Sequence, residues 1–522
     1  MTSLTRPLLL AATLLAALPA AAQDLRIGFK AAVDSPDPHQ LYTPNRNVHL
    51  QVYEPLVVQD AQQRLKPGLA KSWKPLDPLT WEITLEERAN FQDGTPFTAE
   101  DVIFSVNRAR AAEGVRTYRI YVRDIAAMEA KGPKTLIIRT RNPAPMLPTN
   151  LSAFGMVSAK AAATASSADF NAGPASIGTG PYRWAKFIPG QEVVLERHAG
   201  YWGGAVPWAK VSYRFVPNDS ARVAGLLAGD LDVIDTVPPN LFERIQTSDR
   251  TQLVTTTSSF TLYFQLDQKR DDSPFVTAAD GSKLARNPLK DHAVRQAMSL
   301  ALNRVAIAER AMENGAEPAF QFMPPGFDGH SPNLPPPAAD LPRARRLLAE
   351  AGYPNGFGLT IHCTNDRYAG DAKVCQTVAQ MLTSIGLKVQ VDTLPAAVFF
   401  RRAGSNSAEP EFSAQMSIFS NPAGVGLENM NALVRTASAE RGYGTANRGR
   451  YSTPAMDAAL AAAEAEFDVA KREDMVRKAT EAAMADYAVV PIFFMKASWG
   501  LKKGLKMLPR GDQYTFANDI TQ

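Results

Sequence analysis

The rhythm of apolar and polar positions changes along the chain. Near the start, the apolar run LRIGF precedes a polar, proline-rich stretch, DSPDPHQLYTPNRN, that is expected to be a loop; HLQVYEPLVV follows. TWEITL (80–85) and TLIIRT (135–140) alternate with a period of two, as half-buried strands do. Between them lies NFQDGTPFTAEDVIFSVNRAR, residues 90–110. Its Asp93-Gly94 pair signals a tight turn, and Val102, Ile103 and Val106 then fall on one face of a helical pattern. Thr98 and Asp101 have the spacing of a capping box, in which a hydroxyl and an acid three residues on cap each other's backbone. Glu100 and Asp101 also sit at the positive end of the helix dipole, worth ~0.3–1 kcal/mol each. The alternating acids and distal Glu of a calcium loop are missing. These acids therefore build scaffold, not a metal loop or an acid–base pair.

Farther along, NDSARVAGLLAGDLDVIDTVPP predicts a helix, a stop at Gly229, and a strand. LPRARRLLAEAGYPNG predicts a helix ended by Gly352. LTIHC, AKVCQTVAQMLTSIG and LKVQVDTL form a strand–helix–strand unit long enough for a parallel crossover. Residues 454–488 are rich in alanine and charge at helical spacing, and VVPIFF and SWGLKKGL return to strand-like patterns. A β-rich first half and an alternating second half imply an α/β protein of two lobes. The 522 residues also exceed what one hydrophobic core usually serves.

The first residues change the picture of where the protein works. Arg6, the apolar Leu8–Leu18 run and Ala20-Ala21-Ala22 have the order of a secretory signal. The run is shorter than the ~20 residues a membrane span needs. The mature chain is expected to be exported and to start near Gln23, after cleavage near Ala22. No cysteine stands directly after the cleavage site, so no lipid anchor is indicated, and no later segment is long and apolar enough to cross a bilayer. The net charge of +4 comes without a dense Lys/Arg run, which argues against a nucleic-acid partner. Cys363 and Cys375 are the only cysteines. In an oxidising compartment they can form one bridge or stay free, and both readings stand on sequence alone.

Catalytic and cofactor motifs are missing. There is no HExxH, CxxC, Walker A loop, GxGxxG or GxSxG, and GTGPYR (178–183) is a turn into a strand. The six histidines are scattered, with no i,i+4 pair. No catalytic residue, metal ligand or cofactor is expected, although a triad assembled in space can escape a sequence reading.

An ordered set of segments carries a resemblance. YEPLV (53–57), LKPGLAKSW (65–73), TWEITL, FQDGTPFTAEDVIFSVNR, GTGPYRW, PGQEVVLERHAGYWGG and AGLLAGDLDVID follow one another. LKDHAVRQAMSLALNR, RRLLAEAGYPNGF and LTSIGLKVQV complete the set. Together they resemble the extracytoplasmic solute-binding proteins of family 5, the peptide/opine/nickel class that feeds ABC transporters. The resemblance implies a two-lobed periplasmic-binding-protein fold of the class II, cluster C type, with an extra domain on the first lobe. Lobe I is expected over 23–275, with the extra domain at about 62–175. Lobe II is expected over 285–490, and 492–522 returns to lobe I. Solute would bind between the lobes of a monomer, and the closed form would meet membrane permease subunits.

The same resemblance implies site residues. Members that bind dipeptides hold the carboxylate with an Arg after a strand. TNDRYAGDAK occupies that place and gives Arg367, with Tyr368 beside it. A solvated loop Arg, or one paired with Asp366 or Asp371, is the alternative. The amine-binding Asp of those members falls around Asn421-Pro422 here, where no carboxylate stands. Phe419 stands near the family's Trp as a stacking residue or a structural aromatic. Glu428 could replace the missing acid or be a loop acid. Ser420, Asn45 and Arg46 are further candidates, the last two in an N-terminal cleft loop. The departure points to a peptide-like or other carboxylate-bearing solute without a conventional α-amine. A nickel or metal-chelate receptor using His39, His49 or His362 is one alternative; a secreted hydrolase and a periplasmic chaperone are remoter ones.

Overall fold

The structure is a computed structural model that describes residues 24–113, 117–171, 173–404, 409–420 and 423–522. The expected signal segment and the Asn421-Pro422 position lie outside the described residues. No described helix is long and apolar enough to cross a membrane.

The period-two segments form a small antiparallel sheet. Its strands run in the order Ala70–Asp77, Thr80–Leu85, Thr135–Thr140, Ile125–Ala130. Trp81 faces Ile138 and Ile83 faces Leu136 across one pair, as alternation requires. Helix Ala99–Ala111 lays Val102 and Val106 into the same buried cluster. The entry to this helix follows the expected capping. Asp101 Oδ2 accepts from the Thr98 backbone N–H (2.9 Å) and hydroxyl (2.8 Å). Its Oδ1 accepts from the Ala159 N–H (2.9 Å), which ties the helix to a distant segment. Gly94 takes φ +85° in the turn before it.

A second, twelve-stranded sheet runs through the rest of the molecule. At one end Asp24–Phe29 lies parallel to Lys210–Phe215 and to Val233–Ile234. At the other, Phe357–Thr364 lies parallel to Lys388–Leu394 through helix Asp371–Thr383, the expected crossover. Cys375 on that helix is disulfide-bonded to Cys363 on the strand, with Cα atoms 6.3 Å apart.

Two long antiparallel strands join the ends, Thr251–Leu266 and Val490–Lys502. Ile492 and Phe493 belong to one core with Leu262, Phe264, Ile361 and Met416. Trp499 and Leu501, a few residues on, belong to another core with Leu25, Ile27 and Tyr213. Each fully buried side chain of this size contributes about 1.5–3 kcal/mol, so each core is a strong anchor. The same two strands thus serve both lobes of the fold. Their register breaks between Thr257 and Thr261, where the cores meet.

The strand-like patterns VVPIFF and SWGLKKGL fall largely in one continuous strand, Val490–Lys502, because both lobes bury its side chains. One expectation is corrected. The loop expected through TPNRN is instead the start of helix Thr43–Val52, for which a proline in the first turn is preorganised.

Candidate functional site

A cavity of about 620 Å³ opens where the two long strands cross between the lobes. Ser259 and Phe260, at the register break, form part of its wall, and Met495 to Trp499 form another. Lys30, Tyr42 and Tyr514 approach from one lobe; Met312, Arg367 and Ile418 approach from the other. Gln63, Thr236 and Gln513 line it with φ of +60°, +47° and +67°. Such backbone costs on the order of 1–3 kcal/mol per residue and concentrates where function holds it in place.

Arg367 lies on an exposed loop at the cavity. The loop is built by Asp371, whose carboxylate accepts from the Thr364 hydroxyl and the Arg367 and Ala372 N–H groups, at 2.8, 2.9 and 2.9 Å. Asp366 is spent on the Ala396 N–H at 2.7 Å. Neither acid takes the Arg367 guanidinium, which has no ion-pair partner among the described residues. Tyr368 also lines the cavity, packs edge-on to Phe493 at 6.3 Å, and has its hydroxyl pKa pushed up by burial.

Strand alternation sorts the next candidates. Ile418 and Ser420 line the cavity, and Ser420 Oγ lies 2.9 Å from Ser259 Oγ. Phe419, between them, packs against the cluster around Tyr263 and Phe322. Asn45 is fully buried, and its amide both accepts from and donates to Asp34, at 2.9 and 2.8 Å. Asn45, Phe419 and Glu428 are not among the residues lining the cavity. Glu428 is half-buried on helix Gly426–Leu433. Burial and Glu464 hold its pKa above the usual carboxylate range.

Arg46 is buried and lines a second, smaller cavity of about 230 Å³, together with Glu54. It donates to the Tyr514 hydroxyl at 2.6 Å and lies over that ring, 5.0 Å from its centroid. Glu54 accepts from the Tyr201 hydroxyl (2.6 Å) and Trp202 Nε1 (2.8 Å), and burial pushes it up to about 7.

His39, His49 and His362 are all buried away from the main cavity. Among the described residues, no group of three or more His, Cys, Asp or Glu is arranged to hold a metal. Sequence reasoning missed most of the lining, including the segments 236–242 and 259–260, the long strand with Lys496 and Trp499, and the segment Asp512–Tyr514. The last left a usable signal: RGDQYTF mixes turn residues with aromatics next to the chain end. Lys496 left none, because one lysine in a strand is ordinary.

The chain matches the family described as "Bacterial extracellular solute-binding proteins, family 5 Middle" over residues 64–439. It is 27% identical over 410 residues to the glutathione-binding protein GsiB of Escherichia coli (strain K12), covering 78% of this chain and 75% of that protein. The solved structure of HbpA2 from Haemophilus parasuis superposes with a TM-score of 0.82 at 21% identity, covering 96% of this chain and 99% of that one. The unliganded open form of MppA, a periplasmic murein tripeptide binding protein, gives 0.81 at 22% identity, covering 96% and 98%. The two-lobed α/β fold is common to them.

Proposed function

The chain belongs to the bacterial extracellular solute-binding proteins of family 5, and on that premise we propose that it captures a peptide-like, carboxylate-bearing solute between its lobes. It presents that solute to the permease of an ABC transporter and turns nothing over. The observation that carries this reading is the Arg367 guanidinium, without an ion-pair partner among the described residues, at a cavity walled by both lobes. A planar fork with free donors is suited to a carboxylate. The glutathione and murein tripeptide named for the relatives are carboxylate-bearing peptides and support the same class.

Arg367, Tyr368 and Ser420 are assigned to solute contact. Arg46 is assigned to support Tyr514 behind the cavity wall; Asn45, Phe419 and Glu428 are assigned to the framework. Lobe I is taken as about 23–275 with 492–522, and lobe II as about 285–490; the register break between Thr257 and Thr261 lies near the crossing. The extra domain corresponds to the four-stranded sheet with helix 99–111. Closure is a hinge motion about the two long strands, driven only by contacts that differ between open and closed forms. The exported chain, cut near Ala22, acts as a monomer.

The test is a thermal-shift screen of dipeptides, N-acylated dipeptides, opines and metal chelates. A solute at 100 times its dissociation constant adds ~2.7 kcal/mol of stability. Carboxylate-bearing compounds are expected to shift the wild type, and Arg367→Met is expected to lose the shift. Stabilisation by carboxylates that survives Arg367→Met overturns the assignment; stabilisation only by metal chelates overturns the solute class.

A further inference from the structure

Four charged side chains line the main cavity: Lys30, Arg367, Lys496 and Asp512. The one acid is already used. Asp512 accepts from Arg510 Nη2 (2.6 Å) and Nε (3.1 Å) and from the Tyr514 N–H (2.9 Å). Lys30 is exposed and pairs with Asp219 at 3.3 Å. Lys496 is different. It sits on the hinge strand with its side chain only 23% exposed. Its nearest acid, Glu317, is half-exposed at 3.9 Å, and the other oxygen of that carboxylate accepts from the Thr257 hydroxyl. The Lys496 ammonium donates no hydrogen bond among the described residues.

We propose that Lys496 is a second anion anchor, and that the preferred solute is a dicarboxylate spanning Arg367 and Lys496. This rests on the reading of the cavity as the solute site. An ammonium has three donors, and leaving them unused in a partly desolvated place is costly. Arg367, more exposed, has no ion-pair partner among the described residues and stands on the other lobe's side of the cavity. The walls between, with Pro238, Pro239, Phe242, Phe260 and Trp499, are apolar. They exclude water and strengthen each charge–charge term. A zwitterion would bring an ammonium into a cleft with three cations and no uncommitted carboxylate. A second carboxylate meets Lys496 instead. Because Lys496 lies on the strand both lobes share, its contact also bears on the hinge itself.

Calorimetric titration of the purified full-length protein with three probes tests this: Ala-Ala, N-acetyl-Ala-Ala and N-acetyl-Ala-Glu. The expected order places N-acetyl-Ala-Glu about tenfold or more ahead of N-acetyl-Ala-Ala, the worth of one charge-assisted contact. Lys496→Met is expected to bring that ratio near one, Lys496→Arg to keep it, and Arg367→Met to weaken both acylated probes. Thermal melting of each variant checks that it is folded. A ratio near one in the wild type, or one that survives Lys496→Met, overturns the second anchor and leaves the solute-receptor reading standing. Preference for Ala-Ala does the same. Binding of none of the three overturns the carboxylate reading along with it.

Discussion

The Arg46 guanidinium donates to the Tyr514 hydroxyl at 2.6 Å across 468 positions of sequence. It ties helix Thr43–Val52 to the C-terminal segment, and Tyr514 walls both cavities. Tyr514 also stacks on Phe516 at 5.6 Å, so the ring is held from two sides.

Arg46→Met should therefore weaken solute binding without touching the solute. Losing a charged hydrogen bond costs ~1.5–3 kcal/mol, part of which appears as looser packing of Tyr514. A double-mutant cycle with Tyr514→Phe, read by calorimetry, should show non-additive losses, because both changes break one bond. Additive losses would mean that Arg46 acts elsewhere.

Glu54 should make stability fall as pH rises. Its folded pKa of about 7 lies above the ordinary 4.5. Between those values the folded state binds the proton and the unfolded state does not, so stability decreases from about pH 4.5 to about pH 7 and is flat beyond. The size is on the order of 3 kcal/mol. Glu54→Gln removes the titrating proton but replaces one of the two oxygens that accept from Tyr201 and Trp202 with an amide donor. It should lower stability overall yet flatten this part of the curve in urea titrations at several pH values.

The bridge between Cys363 and Cys375 closes a short loop of sequence separation 12. In the chain-entropy account such a loop is worth about 3 kcal/mol. Reductant, or the double substitution Cys363→Ser with Cys375→Ser, should lower the Tm. Arg367 lies within that loop, so solute affinity should fall as well if the bridge steadies it. An unchanged Tm would show that packing alone holds the crossover.

Asp101 should be a stability residue only. Its carboxylate accepts three hydrogen bonds at the helix start. Asp101→Ala should cost about 2 kcal/mol or more, seen as a lower denaturant midpoint. Solute affinity measured on the folded variant should match the wild type.

Local patterns were legible in the sequence wherever neighbours in the chain decide the structure. The turn at Gly94, the box between Thr98 and Asp101, the stop at Gly229 and the strand–helix–strand at 357–394 each follow from contacts within a few residues or from one repeating face. The family, too, was legible, because it is carried by the order of many such segments. The loop that carries Arg367 could be located for the same reason. Tertiary structure decided the rest. It joined VVPIFF to SWGLKKGL in one strand, because two cores bury successive stretches of it. It turned Phe419 away from the cavity and Ser420 toward it, through a register set by pairing with Thr261. It put Lys496 beside a cavity with Glu317 as a distant partner at 3.9 Å and no hydrogen bond from its ammonium among the described residues, which depends on where Glu317 and Asp512 point. Electrostatic and packing terms of this kind join residues hundreds of positions apart, and no local pattern encodes which side chains will meet.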